Sequence, residues 1–185
     1  MREGDNAAWV WEHQALTRAR FSAGNSAVGL DFDLVRSEVL SQQRNIDQLR
    51  IEILEMRRKV HAGHPNAGSE FDLKHDSGGM VDIEFIVQFL VLAYSHQHPQ
   101  LIGNLGNIAL LRIAGEAGLI KAKIADSVAN AYRLLRAHQH RLRLDGAEKT
   151  RIKLDGESDL SAARSAVTSL WLEIFQAPSD AERDS

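Results

Sequence analysis

Between Met80 and Tyr94 the chain reads MVDIEFIVQFLVLAY, apolar at nearly every position and interrupted only by Asp82, Glu84 and Gln88. A helix that is apolar on every side is covered on every side. With three polar residues in fifteen, it is too short and too polar to cross a bilayer. The pattern therefore predicts a buried central helix over residues 79–95. Just before it, Phe71, Leu73 and His75 alternate with Asp72, Lys74 and Asp76, the two-residue period of an extended segment over 70–76.

The remaining apolar spacing is helical. Residues 7–21 read as a helix with Trp9, His13, Leu16 and Arg20 on one side and Trp11, Ala15 and Arg18 on another. SAGNSAVG at 22–29 reads as a loop, and a helical pattern follows through Phe32, Val35 and Val39. Ile46, Leu49, Ile53, Met56 and Val60 form a stripe at steps of three and four, the signature of a packed helix over 45–61 with Asn45 as its N-cap. A short helix at 107–117 stops at Gly118. The longest runs over 121–144, and after a polar connection at 145–157 a last one carries Leu160, Ala163, Val167, Leu170 and Ile174 before Pro178. The sum is an all-α fold, a bundle of six to seven helices. It forms one helical domain over 1–178 with a flexible tail at 179–185.

Composition narrows the class. At 185 residues the chain can bury a core of its own. With 22 basic and 25 acidic residues it shows no basic surplus for nucleic acid. Without cysteine it has no disulfide framework and no thiolate chemistry. MREGDN lacks the pattern of a signal peptide, so the expectation is a cytoplasmic protein that binds neither membrane nor nucleic acid.

Candidate chemistry gathers at the start of the central helix. Asp82 and Glu84 fall in its first turn, where free N–H groups and the dipole favour carboxylates. Gly78 and Gly79 permit positive φ or close approach of a ligand, and Lys74 adds a cation beside a helix N-terminus. That combination points to a phosphate, although the spacing is not that of a P-loop. Asp82 and Glu84, about 200° apart on a helix, do not grip one metal together. Asp31-Phe32-Asp33 imitates a magnesium-binding pair, but such pairs sit on strands; here capping and dipole account for both carboxylates. His96 and His98, like His138 and His140, have i, i+2 spacing without a further ligand nearby. They read as surface groups, and His138 as a core histidine. No metal site is expected.

Four segments in order, WVWEHQALTRAR, LRIEILEMRRKVHAG, FDLKHDSGGMVDIEFIVQFLVLAYSH and GNIALLRIAGEAGLI, resemble the C-terminal end of the glutamine synthetase adenylyltransferase family, the bifunctional adenylyltransferase/adenylyl-removing enzymes. The pattern Lys74…Gly78-Gly79…Asp82-Ile83-Glu84 is the most specific part, and a related one occurs in the PII uridylyltransferase. The resemblance implies the helical region of the adenylylating unit, which attaches AMP from ATP to a tyrosine of glutamine synthetase under control of PII proteins and glutamine. It implies a catalytic domain, with an Asp-x-Asp pair for magnesium, lying before Met1. Mg and ATP would then belong to the parent enzyme, none bound tightly by this chain, which alone would be inactive. It also implies that Glu12 to Arg20 and Lys74 to Glu84 pack back on that domain. Lys74, Gly78 and Gly79 would line the nucleotide side, Arg18 and Arg20 would lie near phosphates, and Glu12, Asp82 and Glu84 would orient them. The alternative is a non-catalytic module that docks PII or glutamine synthetase.

Overall fold

Fifteen residues from Met80 to Tyr94 form the helix on which the others are laid, and twelve of them are buried. The computed structural model describes residues 10–154 and 158–176. Within them the order is α1 (Val10–Leu16), α2 (Ser26–Leu40), α3 (Ile46–Ala62), β1 (Phe71–Asp72), α4 (Met80–Tyr94), a 3-10 turn (Pro99–Ile102), α5 (Asn107–Glu116), α6 (Ala122–Leu144), β2 (Arg151–Ile152) and α7 (Asp159–Phe175). The architecture is the expected all-α bundle, with one two-stranded antiparallel ladder pairing Phe71 with Ile152 and Asp72 with Arg151. α4 touches α1, α3, α5, α6 and α7, while α6 packs most extensively on α5 and α7. The expected stop at Pro178, the tail at 179–185 and Trp9 lie outside the described residues.

Local chemistry explains most boundaries. The Asn45 side chain accepts from the Gln48 N–H at 2.9 Å and caps α3 as its sequence position predicts. Gly118 takes φ +74° and donates to Gly115 O at 3.1 Å, closing α5 with a left-handed residue.

Three expectations are corrected. The first helix does not reach residue 21: the chain leaves it after Leu16, with the Thr17 hydroxyl bonded back to Gln14 O, so Arg18 and Arg20 lie beyond the helix. The loop assigned to 22–29 ends early. Asn25 accepts from the Ala27 N–H at 2.9 Å and starts α2 at Ser26. Gly29 lies inside this helix, and the Phe21 ring stands within 2.8 Å of where a Cβ would be. Asp31 and Asp33 are therefore exposed inside α2 and cap nothing. The extended segment is also shorter than 70–76. Only Phe71 and Asp72 pair, and Phe71, Asp72 and Leu73 are all buried, because the chain turns at once toward α4.

Two arginines, Arg36 buried and Arg44 half-buried, fasten α2 without a carboxylate. Arg36 donates to the carbonyls of Leu16, Ile102 and Thr17 at 2.9, 2.8 and 3.1 Å. Arg44 donates to Leu40 O and to Leu92 O at 3.1 and 3.2 Å. Each guanidinium satisfies carbonyls left unpaired at helix ends or turns.

The core makes a contrast testable. Leu92 is fully buried and Leu34 is 70% exposed. Leu92→Ala is expected to cost about 2–5 kcal/mol in urea unfolding, and Leu34→Ala no more than about 0.5 kcal/mol.

Candidate functional site

The polar residues of α4 each hold a different neighbour. Asp82, nearly fully buried, takes the Nε–H of Arg57 from α3 at 2.5 Å and the Gly78 N–H at 2.7 Å. Arg57 also donates to His75 O at 2.8 Å. Glu84 lies 3.1 Å from Arg18 and accepts from the Tyr132 hydroxyl of α6 at 3.3 Å. Gln88 accepts from Gln14 of α1 at 3.0 Å. The dipole explanation for Asp82 thus yields to a specific one. Its carboxylate joins α3 to the turn that precedes α4.

That turn is why two glycines stand together. Gly78 has φ +82°, and a Cβ there would lie 2.6 Å from Arg164 Cγ and 2.8 Å from both Arg164 O and Thr168 Oγ1. What approaches its backbone closely is α7. A Cβ on Gly79 would meet the carbonyls of Asp76, Leu73 and Lys74 at 2.9–3.0 Å. The N–H groups of Gly79, Met80 and Val81 already donate to Asp76 O, Leu73 O and Lys74 O. Arg164 completes the junction, donating to Ser77 O at 3.0 Å with its guanidinium 4.7 Å from the Phe71 ring centroid.

The residues that the sequence groups into one site fall into three depressions. Gly78 and Asp82 line one of about 330 Å³ with Arg57, Arg58, His61 and Trp171. Arg18 and Arg20 line another of about 260 Å³ with Asn107, Tyr132 and Arg136. Glu84 sits beneath it, bonded to Arg18 and Tyr132. Lys74 lines a third of about 320 Å³ with His64, His75, Arg143, Lys149 and Arg151. Glu12 is half-buried in the first turn of α1. Sequence reasoning missed Arg57, Tyr132, Arg136 and Arg164. Arg57 alone left a signal: it lies four residues after Ile53, on the buried side of the α3 stripe.

Burial and charge shape the titrating groups. Desolvation lowers His75, and His64 and Lys74 push the same way, against Asp72, whose Oδ1 is 3.6 Å from the ring. Desolvation would raise Asp72, but the His75 and Lys74 N–H groups that its Oδ1 accepts hold it below the ordinary carboxylate range. Desolvation and the proximity of Glu84 raise the Tyr132 phenol, so it stays a donor.

A family model described as GlnD PII-uridylyltransferase matches residues 47–171. The bifunctional glutamine synthetase adenylyltransferase/adenylyl-removing enzyme of Burkholderia mallei is 54% identical over 179 residues, covering 96% of this chain and 19% of the relative. The proteins of the same name from Aromatoleum aromaticum and Ralstonia nicotianae are 52% and 57% identical, covering 91% and 95% of this chain and 18% of each relative. The chain therefore spans 18% to 19% of the length of these curated relatives.

Two outcomes follow from the geometry. Arg57→Ala leaves the Asp82 carboxylate buried with one partner fewer and is expected to cost about 3–5 kcal/mol, read by urea unfolding. His75 is favoured neutral in the fold, so the unfolded chain binds its proton first. Stability is then fully present above pH 6.5 and is lost as pH falls below that value through the lowered folded pKa. His75→Gln is expected to shrink the fall in Tm between about pH 7.5 and 5.5, in the window below the ordinary histidine pKa.

Proposed function

The chain belongs to the GlnD PII-uridylyltransferase family, and on that premise we propose that it is the helical part of an ATP-dependent adenylyltransferase that transfers AMP to a tyrosine of glutamine synthetase. The observation that carries this reading is the corner where the segment after α1, the start of α5 and α6 meet. Arg18, Arg20 and Arg136 line one open depression, and Glu84 is the carboxylate that engages the first of them. Arg20 and Arg136 have no ion-pair partner among the described residues. Convergent guanidinium groups suit phosphate oxygens.

In AMP transfer the tyrosine oxygen attacks the α-phosphorus. The new O–P bond forms as the bond to the β-phosphate oxygen breaks, pyrophosphate leaves, and the phenolic proton passes to a base of the catalytic domain. Cations fixed beside the phosphates stabilise the charge that grows on the leaving group. Arg20 and Arg136 take that role here. Glu84 and Tyr132 position Arg18, and Glu12 lies on the helix that leads to it. Magnesium is the ion this chemistry ordinarily uses for charge neutralisation. The residues of this chain do not fit it: no group of three His, Asp or Glu converges among the described residues, and Asp31 and Asp33 stand exposed on a helix. The chain by itself is expected to be inactive.

One observation favours a second role alongside the first. Val28, Leu30, Leu34 and Val35 of α2 are all more than half exposed, an apolar surface suited to docking glutamine synthetase or a PII protein.

The test places this chain in the matching segment of the Burkholderia mallei relative and measures adenylylation of glutamine synthetase. Arg20→Ala and Arg136→Ala are each expected to lower kcat/KM for ATP about tenfold, the worth of one charge-assisted hydrogen bond, with Tm unchanged. Unchanged kcat/KM in both variants refutes the reading.

A further inference from the structure

The depression around Lys74 is separate from the corner just described and has its own architecture. One wall is the β1–β2 ladder, extended by the Leu73 N–H donating to Thr150 O at 3.0 Å. A second is the C-terminal end of α6, which brings Gln139 and Arg143. A third is a pair of imidazoles, His64 on His75, with ring centroids 3.8 Å apart and planes within 10°.

Its charge is unbalanced. Lys74, Arg143, Lys149 and Arg151 face Asp72 and Glu148, in a chain whose net charge is −3. Asp72 is already committed: Oδ1 accepts the N–H groups of Lys74 and His75, and Oδ2 lies 3.7 Å from Arg151 Nε. Arg151 is held further by Pro65 O at 3.4 Å. Lys74, Arg143 and Lys149 have no carboxylate within ion-pair distance among the described residues. The dipole at the end of α6 accounts for one cation there, but not for Lys74 and Lys149, which come from two other segments. The α6 carbonyls would repel an anion, yet two of them are closed off by Gly146 donating to Arg143 O and Ala147 to Leu142 O.

We propose that this cleft binds a small phosphate-bearing anion, held by Lys74, Arg143 and Lys149 with Arg151 fixed behind them. A volume of about 320 Å³ suits a small ligand rather than a polymer. The exposed outer face of His64 offers a planar surface on which a ring carried by such a ligand would stack. Inorganic pyrophosphate and a nucleoside triphosphate share the recognised chemistry and differ in that ring.

The test titrates the 185-residue chain calorimetrically with pyrophosphate and, separately, with ATP, in a buffer of physiological ionic strength. Saturable binding is expected, weakened at least tenfold by the Arg143→Gln/Lys149→Gln pair and several-fold by Lys74→Gln. Each altered side chain is exposed, so the melting curves should be unchanged. The imidazole proton resonances of His64 and His75 should shift on binding. Tighter binding of ATP than of pyrophosphate assigns the ligand as a nucleotide, and equal binding assigns it as a bare polyphosphate. Arg133→Gln, at an exposed position of α6 that lines neither this cleft nor the corner assigned to AMP transfer, is expected to leave the affinity intact. Absence of saturable binding, or binding untouched by the Lys74, Arg143 and Lys149 variants, overturns the proposal.

Discussion

Asp82 is one carboxylate with two obligations. It neutralises Arg57, which would otherwise be a lone charge inside the protein, and it receives the Gly78 N–H at the point where the chain must turn into α4. Burying an ion pair gains little by itself, because desolvation offsets the attraction. Here the pair does something an apolar pair could not, since each partner also holds backbone: Asp82 the Gly78 amide, Arg57 the His75 carbonyl. The turn from Leu73 to Gly79 is thereby fixed against α3 on one side and against α7 through Arg164 on the other. Two of the three depressions described above border this turn or the helix that follows it.

The sequence made the central helix legible because its pattern has one physical solution. A run with no polar face must be enclosed, and α4 is enclosed within a residue of the expected bounds. Asn45 and Gly118 were legible for local reasons, since caps act within one turn. The failures are non-local. That a helix carries glycine at position 29 reflects Phe21 lying over it. Whether Gly78 and Gly79 serve a ligand or a neighbouring helix depends on α7, which is distant in sequence. Lys74 and Arg18 looked like parts of one site because both flank the polar start of α4. The fold sends them to different clefts, and no spacing rule contains the partners that separate them, Tyr132, Arg136 and Arg143.

The three polar side chains of α4 also divide labour along its length. Asp82 ties it to α3, Glu84 to Arg18 and to α6, and Gln88 to α1. An apolar interface tolerates sliding, whereas hydrogen bonds of this kind fix register. The segment bearing Arg18 and Arg20 is not helical, so its placement rests on Glu84 and on the Arg36 clasp to Leu16 and Thr17. A basic corner built this way keeps its geometry without a rigid element of its own.

The two-residue ladder spans a wide stretch of chain. Phe71 pairs with Ile152, so everything from α4 through α6 lies inside the loop that this pairing closes. The contacts of α5 with α6 and α6 with α7 join neighbours in sequence and can form early. The ladder must await their docking, because closing a long loop costs chain entropy before any contact repays it. The cleft beside Lys74 is accordingly among the last features to assemble during folding. It is complete only where the ladder has paired and the end of α6 has docked beside it, so its occupancy would discriminate chains in which that closure has formed from those in which it has not.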